Sequence, residues 1–413
     1  MDDPAFAPAV DETTQLVLLH ASNHDLPGLK PFLRTPGNAS LQDPETGYTP
    51  LHAAIAACGS VPESNGVEAV NGKEEEEEVD IEKAKATVRE LFMSGAIWND
   101  LDANGETPGC LAWRLGRKEL YTLCVEAGVR AEMLLGLMGG YEALESDSED
   151  EMEVINGGDG SVEAESKNED VPMEREKKDV NSEDYLKSEL KFEDGKLLDA
   201  DENGVMMAWE TDIMRQSVDA LLPELKPGAR MLNVGFGMGI IDRMLRDTKP
   251  FSHHIIEAHP AVLQKLSSSE SDFGTAWENS APEGGKYSIH AGKWQDVVPK
   301  LLEAGEVFDA IYFDTFGEDY GQLKLFFSEY VVGLLDPEGR FGFFNGLGAD
   351  RRVCYDVYCR VVELDLCDAG MDVDWTVIEV GTLGEEGEGE WKGVRRRYWT
   401  LDRYKMPICT FLG

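Results

Sequence analysis

From Arg230 onward the sequence alternates short apolar runs with amphipathic stretches. That alternation admits few architectures, because a parallel α/β sheet needs a helix at each crossover between strands. The strand-like runs are 230–234, 253–257, 286–290, 307–313 and 339–345. Helix-like stretches follow them in turn, at 238–247, 260–268, 294–304, 320–335 and 350–366. Two more extended runs, 374–380 and 396–402, are separated by only a Gly/Glu-rich turn from Gly381 to Gly393. The expected fold class is therefore α/β: a Rossmann-like, doubly wound sheet of seven strands closed by an antiparallel hairpin.

The rest of the 413 residues exceeds what one ordinary core holds, so further units are expected upstream. Between Tyr141 and Tyr185 there is no aromatic residue, and Ser146 to Glu151 opens a charge-rich tract. Such a stretch buries too little apolar surface to offset chain entropy, which makes 142–184 an acidic disordered linker. It divides the chain into a unit at 1–141 and a unit at 185–413. In the first, Thr49-Pro50-Leu51-His52-Ala53-Ala54 matches the ankyrin signature, and the Gly-x-Thr-Pro phrase returns at Gly105-Glu106-Thr107-Pro108. Leu16 to Leu33 reads as the second half of a degenerate earlier repeat. Gly59 to Asp80, with its polyglutamate run from Glu74 to Glu78, reads as an acidic loop insertion. The α-helical repeats serve either as a protein-binding surface or as a cap on the second unit.

A formal net charge of −42 argues against a surface that grips nucleic acid or anionic lipid and favours a basic partner. No run approaches the ~18 apolar residues of a membrane span, and the first residues lack a secretory signal, so a soluble intracellular protein is expected. Seven scattered cysteines without a Cys-x-x-Cys pair suit reduced thiols, and seven histidines without ligand spacing give no metal site. Oligomeric state is not legible, and a monomer is the simpler expectation.

Strand 230–234 runs into Gly235-Phe236-Gly237-Met238-Gly239, where glycines let backbone approach a ligand. The third glycine comes one place earlier than in a dinucleotide loop. Together with the closing hairpin, this favours S-adenosylmethionine over a nicotinamide cofactor. Glu257 ends the second strand, where an acid accepts from ribose hydroxyls. Trp294 and Gln295 follow the third, where an indole face stacks on adenine and an amide supplies polar contacts. Asp314 closes the fourth strand beside the expected methyl position, and Glu210 precedes the sheet. Two acids there point to a cationic acceptor.

Trp209-Glu210-Thr211, Gly235-Phe236-Gly237-Met238, Ile255-Ile256-Glu257, Gly292 to Val297 and Tyr312-Phe313-Asp314-Thr315 resemble, in order and spacing, the motifs of guanidinoacetate methyltransferases. The closer resemblance is to the fungal protein arginine N5-methyltransferase (type IV) family, which joins ankyrin-like repeats to a class I methyltransferase domain. The resemblance implies cofactor contacts from Tyr185, Met206, Met214, Gly235, Phe236, Gly237, Met238, Gly239, Ile240, Ile241, Glu257, Ala258, His259, Trp294, Gln295 and Asp314. It implies Glu210 and Asp314 as the catalytic pair and the δ (N5) nitrogen of a protein arginine as the acceptor. A large-subunit ribosomal protein, met in cytoplasm and nucleus, is the implied substrate. Two departures are visible: Asn233 replaces an acid, and Thr315-Phe316-Gly317 replaces Thr-Tyr-Pro. A small-molecule guanidino methyltransferase and an inactive ankyrin scaffold are the competing readings. The intact acids weaken the second of these, and the repeats weaken the first.

Overall fold

The computed structural model describes residues 11–61, 71–138, 181–223, 228–268, 271–385 and 387–413, with the side chains of 71–80 excepted. The linker expectation, apart from its last residues, lies outside that set. A small antiparallel sheet comes first, from β1 (Lys191–Glu193), β2 (Lys196–Leu198) and β3 (Gly204–Met207). The main sheet follows with β4 (Arg230–Val234), β5 (Ser252–Glu257), β6 (Lys286–Ala291), β7 (Phe308–Phe313), β8 (Leu335–Phe343), β9 (Met371–Glu379) and β10 (Arg403–Phe411).

Among the described residues the main sheet has seven strands in the order β6-β5-β4-β7-β8-β10-β9. The first five in chain order run parallel, and β10 is antiparallel to both its neighbours. The chain enters the sheet at its middle, with β5 on one side of β4 and β7 on the other. This reversal is a topological switch point, and a crevice opens there beyond the carboxyl ends of the strands.

The closing hairpin differs in detail from its sequence pattern. The last strand was expected at 396–402 and lies at 403–411, paired in register from Arg403 with Glu379 to Phe411 with Met371. Tyr398, Trp399 and Leu401 have strand-like composition, but a loop carries them inward, and Trp399 Nε1 donates to the carbonyl of Leu401 at 2.8 Å. The alternating face of β10 is instead Tyr404, Met406 and Ile408, all buried. The helical stretch expected at 320–335 passes through a π segment at Phe326–Val331 and ends at Leu334, one residue before β8 starts at Leu335.

Upstream, helices Pro50–Ala56 and Pro108–Arg114 start alike: Thr49 accepts from His52 N, Thr107 from Cys110 N, and a proline fills the first turn where no amide is needed. The two turns stack, with Ala103 N donating to Thr46 O at 2.9 Å and His52 Nε2 bonded to Glu106 O at 3.0 Å. Burial lowers the His52 pKa, which suits a neutral ring that accepts at Nδ1 from Thr49 N and donates at Nε2. The acidic insertion is corrected in part: 71–80 is the start of helix Asn71–Met93, because Glu, Lys and Ala are strong helix formers and Ala84, Val88 and Leu91 bury one face further on. Residues 62–70 lie outside the described set.

The upstream helices share a core with the sheet domain. Helix Lys118–Leu137 packs on helix Arg352–Asp368, whose Val353, Val357 and Val361 are buried in one apolar cluster with Leu111, Leu120 and Cys124. A Cβ on Gly128 would stand 2.6 Å from Val357 Cγ2, so the backbones meet closely. Tyr121 donates to Asp356 at 2.5 Å across the junction. Of the two roles open for these helices, a packed cap is the one the contacts display.

Candidate active site

A cleft of about 620 Å³ opens at the switch point. Its floor is the turn after β4. Gly235, at φ +96°, is pressed so near β7 that a Cβ would lie 1.9 Å from Asp314 O. Gly237, at φ +54°, has Met206 Cε where its Cβ would be, at 2.8 Å. Both therefore require glycine, and both present backbone to the cleft.

Glu257 ends β5 and is buried against this turn. Its Oε2 accepts from Phe236 N at 3.0 Å and Gly237 N at 3.3 Å, and its Oε1 from His259 N at 2.6 Å. Burial raises its pKa, and these backbone donors pull it back down.

Of the residues expected at the cofactor, Tyr185, Met206, Gly235, Gly237, Glu257, Ala258, Trp294, Gln295 and Asp314 line the cleft. Met214, Phe236, Met238, Gly239, Ile240, Ile241 and His259 do not. Phe236 turns away to pack edge-on to Phe273 at 5.3 Å, and Met214 and Ile241 are buried in the neighbouring core. Gly239 caps helix Ile240–Asp247. His259 Nε2 donates to Tyr185 O at 3.0 Å, so it anchors the helix Ser182–Lys187 that carries Tyr185. For the residues of the glycine turn the reason is that a loop offering its backbone to a ligand turns its side chains elsewhere.

Trp294 corrects a second expectation. It is 3% exposed, with Phe313, Phe326 and Tyr330 at 5.8, 5.3 and 5.9 Å, so no indole face is available for stacking. What it offers is its N–H, donated to Glu318 at 3.0 Å. Glu318 also accepts from Gln295 Nε2 at 2.9 Å and Thr315 Oγ1 at 2.6 Å. Sequence reasoning passed over Glu318, although it follows Asp314 by four residues in the loop after β7. Gln295 Oε1 is buried without a hydrogen-bond partner. An orphan amide acceptor in the lining, a backbone-lined glycine cradle and a buried acid suit an adenosyl group carrying hydroxyls and an exocyclic amine.

At the other end are the two acids. Asp314 lines the cleft and is partly accessible, yet loss of water pushes its pKa up to about 7. Glu210 sits in the turn Ala208–Glu210 after β3, is 3% exposed and is not among the cleft-lining residues. Burial, then the neighbouring Asp314 charge, pushes its pKa up to about 8. Tyr398 donates its hydroxyl to Glu210 Oε1. Trp209, Trp391 and Trp399 crowd round, with Trp209 at 6.4, 6.0 and 5.8 Å from the rings of Trp391, Tyr398 and Trp399. Tyr398 was absorbed into the supposed last strand and so was missed. Among the described residues no group of three His, Cys, Asp or Glu side chains has the arrangement of a metal site, and no helix is long and apolar enough to cross a membrane.

A family model described as guanidinoacetate N-methyltransferase matches residues 182–348. Over most of its length the chain is similar to proteins named protein arginine N-methyltransferase 2. That of Gibberella zeae is 58% identical over 407 residues, 95% of this chain and 91% of that protein. That of Neurospora crassa is 55% identical, covering 97% and 96%. That of Saccharomyces cerevisiae is 40% identical, covering 78% and 76%.

Proposed function

The chain belongs to the protein arginine N-methyltransferase 2 family, and from that premise we propose that it moves a methyl group from S-adenosylmethionine to the δ (N5) nitrogen of an arginine in a basic protein. The observation that carries this reading is the pair of carboxylates, Glu210 and Asp314, gathered beside the cleft and starved of water. A cation is the ligand such a pair lacks.

When bound, S-adenosylmethionine supplies an electrophilic methyl group on a sulfonium. Tyr185, Met206, the backbone of Gly235 and Gly237, Glu257 and Gln295 line the cleft and would hold it. An arginine guanidinium keeps its proton below pH ~12 and is a poor nucleophile while its charge is delocalised. Glu210 accepts N–H bonds from it in fork geometry and localises that charge. Asp314, nearer the cleft, would take the proton that the guanidinium gives up on methylation. Much of the rate comes from in-line orientation, which both acids enforce. The δ nitrogen is favoured because guanidinoacetate enzymes methylate the nitrogen bonded to the carbon chain, and the arginine counterpart is the internal one. The stacked Thr-Pro turns are read as ankyrin-like repeats, and the net charge of −42 supports a basic substrate. A large-subunit ribosomal protein, met in cytoplasm or nucleus, fits that description.

The test is transfer of labelled methyl groups to basic ribosomal proteins, followed by hydrolysis and separation of the methylarginines. N5-methylarginine is the expected product. A methyl group on a terminal nitrogen would overturn the reading.

A further inference from the structure

Behind the cleft lining, against Glu210, stands a phenol that neither acid's role explains. We propose that Tyr398 is a positioning residue for methyl transfer, orienting the Glu210 carboxyl and favouring its charged form for the incoming arginine; this rests on the reading of Glu210 as the arginine clamp.

Four groups face Glu210, from three parts of the chain. Tyr312 lies on β7 and Asp314 just after it, Tyr404 on β10, and Tyr398 on the loop before β10. None of these is a cation, and both burial and Asp314 press Glu210 toward its neutral form. Opposing them are the Tyr398 hydroxyl and the backbone at Met207. A neutral Glu210 could not localise the charge of an incoming guanidinium.

The phenol is held in place from three sides. Its ring meets Trp391 edge-on at 5.0 Å and lies 6.0 Å from Trp209. The third wall is Gly204 in β3, where an added Cβ would stand 2.8 Å from Tyr398 Cε1. Gly204 has a backbone conformation open to any residue, so what reserves the position for glycine is the ring. The strand leading to the Glu210 turn is therefore shaped around Tyr398, and the hydroxyl is aimed at one carboxylate oxygen.

Tyr398→Phe keeps the ring and deletes the donor. Cofactor affinity by calorimetry and the thermal midpoint should match the parent. The acid limb of the kcat/KM profile for protein methylation should move up by about one pH unit, giving a loss of about tenfold at pH 7 that shrinks to within about twofold at pH 9.5. Placed on Glu210→Gln, the same change should add nothing to the single-turnover defect. Gly204→Ala, which displaces the ring from outside the site, should shift the limb the same way. A loss equal at all pH values, no loss, or full additivity with Glu210→Gln would overturn the proposal. Should Tyr398→Phe not fold, the Gly204→Ala profile decides alone. If Glu210→Gln itself transfers normally, the clamp reading fails. If it is defective while neither Tyr398→Phe nor Gly204→Ala shifts the limb, only the positioning role fails.

Discussion

Glu257 and Glu210 are the same residue type, almost equally buried at 6% and 3% exposure, at opposite ends of one site. Glu257 accepts three backbone N–H bonds, from Phe236, Gly237 and His259. Glu210 has a phenol and one backbone contact, and a second carboxylate for a neighbour. The cofactor end is thus largely satisfied by the chain's own backbone before any ligand arrives, whereas the acceptor end is left wanting a positive charge. Binding can be preorganised where the ligand's partners are fixed dipoles. A cation-accepting site instead carries charge strain that the substrate relieves.

The contrast predicts separable failures, the largest at the acceptor end. Asp314→Asn should lower single-turnover methyl transfer by ~10²–10⁴-fold, the usual worth of a proton acceptor, with Glu210→Gln somewhat milder. Glu210→Gln should bind S-adenosylmethionine nearly as the parent does, because Glu210 does not line the cleft. Asp314→Asn should weaken binding too, since Asp314 does. A Glu210→Gln variant that loses the cofactor rather than the transfer would erase the division between the two ends.

The cofactor end should fail in the other sense. Glu257→Ala should cost ~1.5–3 kcal/mol of S-adenosylmethionine affinity, the range for hydrogen bonds to charged groups, measured by calorimetry. At saturating donor its transfer rate should stay close to normal. Unchanged affinity would remove Glu257 from the site, and a collapsed rate at saturation would show that the glycine turn also sets the methyl position.

A third difference is visible without substrate. Glu210 has its pKa raised in the folded protein to about 8 from about 4.5, so folding takes up a proton there. The stability this contributes is complete below pH 4.5 and is lost as pH rises through about 8. Glu210→Gln escapes that loss, and should stabilise the free protein by ~0.5–2 kcal/mol in denaturant titrations at pH 8.5, with little gain at pH 5. A gain of the same size at both values would mean that packing rather than charge is relieved.

The two ends also differ in how much of them the sequence discloses. Gly235, Gly237 and Glu257 are readable because a left-handed turn after a strand and an acid at the next strand's end are local demands, satisfied within 23 residues. Tyr398 meets Glu210 from 188 residues away, and beside Trp399 it resembles strand material. The seven-strand pattern is legible from apolar periodicity, while the pattern puts the last strand seven residues too early because the loop before β10 is also apolar and buried. Charge misled at Glu74 to Glu78, where acidity suggested a loop and helix propensity prevailed. The docking of the upstream helices had one overlooked signal. Val353, Val357 and Val361 repeat every four residues on a helix that also buries Tyr355, Cys359 and Val362, more apolar surface than one side of a sheet accounts for.

The smallest effect sharpens the cofactor end itself. Glu318 gathers Trp294 Nε1, Gln295 Nε2 and Thr315 Oγ1, so its carboxylate is the hub that fixes the Gln295 amide. With Nε2 spent on Glu318 and Gln322, the Gln295 oxygen is left as the acceptor without a partner. If that oxygen receives the exocyclic amine of adenine, Glu318→Ala should free the amide to flip and weaken S-adenosylmethionine by ~0.5–1.5 kcal/mol, one neutral hydrogen bond. The loss should be smaller for a donor whose adenine is replaced by hypoxanthine, which offers a carbonyl where adenine offers the amine. A freely turning amide can present its nitrogen to that carbonyl, so the preference between the two donors should narrow in Glu318→Ala. Equal losses for both donors would leave Glu318 a packing residue of the loop and put the adenine edge elsewhere in the cleft.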